Sequence, residues 1–159
     1  MSRQPVILCV DDNSAGLSVR KQFLEYKGYA VFTAQDGPAG LEIARRETID
    51  AVILDYKMPG MRGDEVAERL RRDHPELPII VLSGFVGELP SSLVRMSYAQ
   101  ITKGDPIEAL LDALERVTST NAKRRPRSAN LTHICEEVLR QSEQFLENCG
   151  RRRAAHRRA

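Results

Sequence analysis

Short runs of apolar residues recur along the chain, and most of them end at a carboxylate or at turn residues. Unbroken runs occur at Val6–Val10, Ala51–Leu54 and Ile79–Leu82. The run at Ala51–Leu54, which turn residues follow, is typical of a central strand that is buried on both faces of a parallel sheet. The more mixed segments Tyr29–Ala34 and Tyr98–Thr102 indicate two further strands.

The apolar residues between these strands have the spacing of helices. Asn13 or Ser14 can cap a first helix, which stops at Gly28. Pro38 suits the first turn of a second helix. Residues 64–73 indicate a third helix, and its inward residues are Val66, Ala67 and Leu70.

The fourth and fifth helices differ in the strength of their patterns. Residues 84–97 favour a loop followed by a short helix at Ser91–Met96. Residues 105–108 supply a cap, a first-turn proline and a reciprocal acid for the fifth helix. Its apolar residues recur on one face, at Ile107, Leu110, Leu111, Leu114 and Val117. This alternation of strands and helices predicts an α/β fold, with a parallel sheet, helices on both faces and right-handed crossovers.

The composition of the chain changes near residue 120. Residues 1–120 hold 14 Lys and Arg against 18 Asp and Glu, whereas residues 121–159 hold 10 against 4. The net charges of −4 and +6 add up to the +2 of the whole chain. We therefore predict one domain at residues 1–120, a basic linker at 121–130, and an amphipathic helix with a basic end at 131–159.

The tail carries one more apolar stripe at helical spacing, formed by Leu131, Ile134, Cys135, Val138, Ser142, Phe145 and Leu146. One helix cannot bury such a stripe alone, so it must pack on the first domain, on a second copy or on another protein. We favour a homodimer through residues 131–147, because a self-complementary stripe needs no second gene product. The arginines near the end do not favour nucleic acid as a partner, because no aromatic residues are interleaved with them.

The composition also bears on the cellular setting of the chain. No stretch approaches the length of a membrane span, and the first residues lack the pattern of a signal peptide. Cys9, Cys135 and Cys149 fit neither a disulfide framework nor a metal site. The chain is therefore predicted to be cytoplasmic, without a membrane partner.

Polar residues occupy the ends of three predicted strands. Asp11 and Asp12 follow the first strand, Asp55 follows the central one, and Ser83 follows the fourth. Open parallel sheets bind their ligands at the edge where the carboxyl ends of the strands meet. Each residue alone is compatible with an ordinary strand-terminating turn, but the set as a whole predicts a functional site.

These residue types suit phosphoryl chemistry with a hard cation. Clustered carboxylates without His or Cys are the ligands that Mg²⁺ prefers. A carboxylate held beside Mg²⁺ can attack phosphorus and form an acyl phosphate. The oxygens of the transferring group must then be neutralised, for which Mg²⁺, a hydroxyl such as Ser83 and a cation such as Lys103 are available.

Residues 5–118 resemble the receiver domain of two-component response regulators. The resemblance rests on motifs at particular strand ends, namely Val10-Asp11-Asp12-Asn13, Leu54-Asp55-Tyr56-Lys57-Met58-Pro59, Leu82-Ser83-Gly84 and Lys103. It implies a flavodoxin-like, doubly wound sheet of five parallel strands in the order 2-1-3-4-5, an order taken from the family and not from the residues. The apolar stripe of the tail predicts an extra C-terminal helix beside this fold.

The resemblance also implies a role for each residue of the site. Asp55 is the phosphoacceptor, and Ser83 and Lys103 contact the phosphoryl group and couple it to loop movement. The implied Mg²⁺ ligands are Asp11, Asp12, Asp55 and, through its backbone carbonyl, Lys57. Of these, Asp12 holds the ion directly.

Three departures from the family pattern concern the response to phosphorylation. Gly104 follows Lys103 where the family usually has proline, and we expect a trans bond there because a cis bond without proline costs about 2.5–4 kcal/mol. Gln100 stands at the position of the usual aromatic switch residue, for which Tyr98 is a partial substitute. The segment between Ser83 and Lys103 is also short for the fourth helix.

Two functions of different classes fit these observations. The first is a signalling protein, not an enzyme, whose Asp55 takes a phosphoryl group from a histidine kinase or a histidine phosphotransfer protein in a Mg²⁺-dependent reaction. Its phosphorylated form then alters protein–protein contacts. The alternative is a phosphorylation-independent adaptor, which Gly104 and Gln100 favour and which the complete set of site residues opposes.

Overall fold

The computed structural model describes residues 3–124, and it describes the side chains of residues 3–119. Backbone contacts group residues 1–125 into one unit and residues 126–159 into another. The predicted tail helix and basic end, residues 131–159, lie outside the described residues, as does most of the predicted linker. The three-part division of the chain therefore stays a prediction.

Within residues 3–124, five parallel strands form a single sheet. The strands are Val6–Val10 (β1), Ala30–Ala34 (β2), Ala51–Leu54 (β3), Ile79–Ser83 (β4) and Ala99–Thr102 (β5). They lie in the order β2-β1-β3-β4-β5, and every neighbouring pair is parallel. The flavodoxin-like order implied by the resemblance is thereby confirmed.

Four α-helices connect these strands, and a fifth follows β5 in the described residues. They are Ser14–Tyr26 (α1), Gly37–Arg46 (α2), Gly63–Asp73 (α3), Ser91–Met96 (α4) and Ile107–Arg124 (α5). Asn13 caps α1 by accepting a hydrogen bond from Gly16 N at 2.9 Å, and Asp36 caps α2 by accepting one from Ala39 N at 2.8 Å. Gly28 follows α1 with a φ of 91°, a conformation that glycine adopts without strain.

Apolar side chains cover both faces of the sheet. Every residue of β1, β3 and β4 is buried, and the prediction of a central strand at Ala51–Leu54 is confirmed. One face packs against α1 and α5 through Leu17, Leu24, Leu110 and Leu114. The other face packs against α2, α3 and α4 through Leu41, Val66, Leu70 and Leu93.

The start of α5 differs from the sequence-based prediction. The helix begins at Ile107, and the Asp105 carboxylate accepts a hydrogen bond from Thr102 N at 2.9 Å instead of capping the first turn. The bond closes the turn that holds Lys103. At its other end the helix runs to Arg124, past the change of composition at residue 120. No helix in the described part of the chain, α5 included, is long and apolar enough to cross a membrane.

Candidate functional site

The candidate site lies at the edge of the sheet where the carboxyl ends of β1, β3, β4 and β5 meet. The strand register pairs Val10 of β1 with Leu54 of β3, so the next residues, Asp11 and Asp55, emerge beside each other. A backbone hydrogen bond of 2.9 Å from Asp55 N to the Val10 carbonyl fixes this arrangement.

Three of the predicted acids form one cluster at this edge. Asp11 and Asp55 are 1% and 5% exposed, whereas Asp12 is exposed to solvent. One carboxylate oxygen from each residue lies within 4.8 Å of the other two. Oxygen donors at this spacing, open to water on one side, fit a hard divalent cation such as Mg²⁺, which keeps several water ligands.

Lys103 reaches into this cluster from the turn after β5. Its Nζ atom lies 2.9 Å from Asp11 Oδ2 and 3.2 Å from Asp55 Oδ2. Its backbone N–H donates to the Ser83 carbonyl at 2.8 Å and thereby holds the end of β5 beside the end of β4. The ammonium group therefore bridges the two buried carboxylates.

The surroundings of Asp11 and Asp55 shift their pKa values in opposite directions. For Asp11, burial raises the pKa, but hydrogen bonds from Asn13 N and Lys103 and the charge of Arg20 outweigh burial, so the pKa lies below its ordinary value. For Asp55, burial raises the pKa, Lys103 lowers it and the Asp11 charge raises it further. The net result for Asp55 is a pKa above the ordinary value.

Ser83 is the last residue of β4 and is 1% exposed. Its Oγ atom accepts a hydrogen bond from Phe85 N at 3.4 Å. The structure thus brings the predicted residues to one edge of the sheet: Asp11, Asp12, Asp55, Ser83 and Lys103. The chemical roles of these residues stay predictions.

Lys57 lies two residues beyond Asp55, and its side chain is 65% exposed. Its ammonium group pairs with the carboxylate of Glu88, which belongs to a 3₁₀ turn at Val86–Glu88. This ion pair connects the loop after β3 to the loop after β4. The sequence predicts a backbone role for Lys57 at the metal, but it does not indicate Glu88 as the partner of the Lys57 side chain, because the two residues are 31 positions apart.

Arg20 also belongs to the acidic cluster, although the sequence motifs do not identify it. It lies on α1, and its Nη2 atom is 3.2 Å from Asp11 Oδ2. Its position between Leu17 and Leu24, the two buried residues of that helix, was the available signal. An arginine on the buried stripe of a helix needs a charged or polar partner.

Gly63, at the start of α3, is a third residue of the site region that the sequence motifs do not identify. Its N–H donates to the Tyr56 carbonyl at 2.9 Å, so the first turn of α3 lies directly against the backbone after Asp55. A Cβ atom at this position would lie 2.4 Å from the Asp55 carbonyl oxygen. Glycine is therefore required here for close backbone packing.

The structure also shows the surroundings of Gly104 and Gln100, the two residues near Lys103 that depart from the family pattern. No cis peptide bond occurs in the described residues, so the bond between Lys103 and Gly104 is trans, as expected. The Gln100 side chain donates to Ser97 Oγ at 2.6 Å, at the end of α4. Tyr98 precedes β5 and is 52% exposed.

Residues 7–114 match the response regulator receiver domain family, and the chain belongs to that family. Among curated proteins, it is 33% identical over 149 residues to the response regulator MprA of Mycobacterium sp. (strain KMS), a match that covers 87% of this chain and 65% of MprA. It is 38% identical over 87 residues to the sensor protein GacS of Pseudomonas syringae pv. syringae, which covers 52% of this chain and 10% of GacS. It is 30% identical to the transcriptional regulatory protein GlrR of Escherichia coli (strain K12), over 77% of this chain and 28% of GlrR. The chain thus spans less than two thirds of the length of each of these relatives.

Solved structures of receiver proteins share this fold. One is the response regulator TrrA of Thermotoga maritima in complex with Mg²⁺ and BeF, with a TM-score of 0.68 and 27% identity, over 72% of this chain and 99% of that one. Another is a CheY-like receiver domain protein of Methanospirillum hungatei JF-1, with a TM-score of 0.70 and 28% identity, over 77% of this chain and 100% of that one. The resemblance stated from the sequence is confirmed.

Proposed function

We propose that Asp55 is the residue of this receiver domain that accepts the phosphoryl group. The observation that carries the proposal is the position of its carboxylate, buried at the end of β3 and 3.2 Å from the Lys103 ammonium, within the three-acid cluster. The donor is the phosphorylated histidine of a kinase or a histidine phosphotransfer protein. In the transfer, a carboxylate oxygen of Asp55 forms the new P–O bond, and the P–N bond breaks to leave a neutral imidazole after protonation.

The residues around Asp55 would bind the metal ion and neutralise the oxygens of the phosphoryl group during the transfer. Asp11, Asp12 and Asp55 would hold the metal ion, together with the backbone carbonyl of Lys57. When bound, Mg²⁺ supplies positive charge to a phosphoryl oxygen and relieves the repulsion among the carboxylates. Lys103 would leave Asp55 and neutralise a second oxygen of the phosphoryl group. The Ser83 hydroxyl would donate a hydrogen bond to the third phosphoryl oxygen.

We extend the proposal to the whole protein as a cytoplasmic signalling module. Phosphorylation of Asp55 would change its contacts with other proteins, and the chain would not act as an enzyme on a small molecule. A second relative, GacS of Pseudomonas protegens, is a sensor histidine kinase, which supports a histidine kinase as the partner. The proposed partners include a second copy of the chain, bound through residues 131–147. They include neither a nucleic acid nor a membrane.

Incubation of the full chain with acetyl phosphate and Mg²⁺, followed by intact mass measurement, tests the proposal. The wild type and the control Asp73→Asn, which alters an exposed carboxylate on α3, should each gain one phosphoryl mass. Asp55→Asn should gain none, and a chelator should prevent labelling of the wild type. Labelling that persists in Asp55→Asn would show that another residue is the acceptor. A folded wild type that stays unlabelled, also with phosphorylated histidine donors, would instead support the adaptor function.

A further inference from the structure

The acidic cluster contains a second cation that the proposed transfer does not use. Arg20 Nη2 lies 3.2 Å from Asp11 Oδ2, and the Arg20 side chain is only 11% exposed. Lys103 Nζ lies 2.9 Å from the same oxygen. One carboxylate oxygen therefore has two cationic partners, although a single cation would neutralise it.

The two cations differ in what else they contact. Lys103 also lies 3.2 Å from Asp55 Oδ2, so it can turn toward a group bound there. Arg20 belongs to α1, whose side chains point back toward the helix start and thus toward Asp11. The other oxygen of Asp11 accepts a hydrogen bond from Asn13 N at 3.0 Å. Asp11 therefore keeps two of its partners when Lys103 leaves.

The net charge of the cluster indicates what the second cation does. In the described residues, the cluster has three carboxylates and the two cations Arg20 and Lys103, which leaves a net charge of −1. A bound divalent cation changes this to +1. An acyl phosphate on Asp55, which has two negative charges where the carboxylate had one, then brings the cluster to zero. Without Arg20 the same three states would have charges of −2, 0 and −1.

We propose that Arg20 is a permanent counter-ion of Asp11 that weakens binding of Mg²⁺ before phosphorylation and strengthens binding of the phosphoryl group afterwards. This inference rests on the proposed Mg²⁺-dependent function of the same cluster. Before phosphorylation, the guanidinium repels the incoming metal and occupies an oxygen of Asp11. After phosphorylation, it neutralises Asp11 once Lys103 has turned to the phosphoryl group, so that no unpaired carboxylate is left buried. Arg20 is thus a positioning residue, which acts through Asp11.

Two titrations of the full chain test this role, one with Mg²⁺ alone and one with beryllofluoride in saturating Mg²⁺. Isothermal titration calorimetry measures the dissociation constant in each case. Arg20→Met removes the charge and keeps most of the apolar stem, whereas Arg20→Lys keeps the charge. Lys27→Met removes a cation from the C-terminal end of α1, where Lys27 contacts the rings of Phe23 and Tyr26 and not the cluster.

We expect Arg20→Met to bind Mg²⁺ about threefold or more tightly than the wild type, and beryllofluoride about threefold or more weakly. Arg20→Lys and Lys27→Met should bind both ligands nearly as the wild type does. Opposite shifts distinguish a charge effect from structural damage, which would weaken both. Shifts in the same direction, or none, would overturn the role of Arg20 and leave the proposed function intact. A wild type that binds no Mg²⁺ would overturn both.

Discussion

At the level of single residues, Asp11 and Asp55 share one ammonium group but titrate differently. The folded state holds the pKa of Asp55 above its ordinary value of 3.8, because burial and the Asp11 charge outweigh Lys103. A carboxyl group whose pKa is raised in the folded state lowers the free energy of unfolding at any pH at which it is ionised in the folded protein. The loss of stability is complete above the pKa of the folded state and disappears below the pKa of the unfolded state. At neutral pH the negative charge of Asp55 therefore destabilises the fold.

We predict that Asp55→Asn has a larger free energy of unfolding than the wild type at pH 7 with a chelator present. The amide keeps an oxygen that can accept from Tyr56 N, as Asp55 Oδ1 does at 2.8 Å, and it removes the charge. The gain should shrink as the pH falls toward 3.8. Urea unfolding at a series of pH values measures it, with the exposed Asp73→Asn as the control. A variant that is no more stable than the wild type at pH 7 would contradict the prediction.

At the level of elements, the sequence predicts the strands and helices well because their signals are local. The runs that form β1, β3 and most of β4 are apolar, and Asn13 caps α1 in the structure as the pattern predicts. The contacts that are hard to predict from the sequence depend on how segments pack against each other. Arg20 on α1 reaches back to Asp11, which precedes that helix, and Gly63 packs against the backbone after Asp55. The position of Arg20 on the buried stripe of α1 indicates that it has a partner, but not which residue that partner is.

One contact of this kind joins three elements through Arg71, near the end of α3. Its guanidinium donates to the Met96 carbonyl at the end of α4, and to the Pro75 and Leu77 carbonyls before β4. We predict that Arg71→Met lowers the free energy of unfolding by about 1–3 kcal/mol, because partly buried carbonyls lose their donor. Arg72→Met, at the exposed neighbouring position, should change it by less than about 0.5 kcal/mol. Urea unfolding compares the two, and equal effects would contradict the assigned role.

The loops after β3 and β4 bear on the lifetime of the proposed acyl phosphate. Lys57 follows Asp55 by two residues and Phe85 follows Ser83 by two, and the ion pair between Lys57 and Glu88 connects the two loops. We predict a slowly hydrolysing acyl phosphate, because a long cation and a bulky ring obstruct an in-line water. Lys57→Asn with Phe85→Glu should lose its phosphoryl group faster, whereas Glu88→Gln, which frees Lys57 alone, should have a smaller effect. Intact mass measured over time follows the loss. A double variant that loses phosphate no faster than the wild type would rule out steric shielding.

At the level of the whole molecule, the chain combines an acidic domain with a basic tail. Residues 1–120 have a net charge of −4, and residues 121–159 have a net charge of +6. The predicted helix at residues 131–147, outside the described residues, has an apolar stripe that includes Val138 and Phe145. Burial of each such side chain is worth about 1.5–3 kcal/mol before ordering costs. An isolated helix of this length is marginal in water, so the stripe needs a partner surface.

We predict that two copies of the full chain associate through this helix. Light scattering should give the mass of a dimer for the full chain and of a monomer for a chain that ends at residue 125, which keeps α5 whole to Arg124. Val138→Asp with Phe145→Asp should behave as the shortened chain does, because two carboxylates in the stripe prevent its burial. Arg140→Asp places the same side chain outside the stripe and should leave the dimer intact. A full chain with the mass of a monomer would show that the stripe does not pair with a second copy.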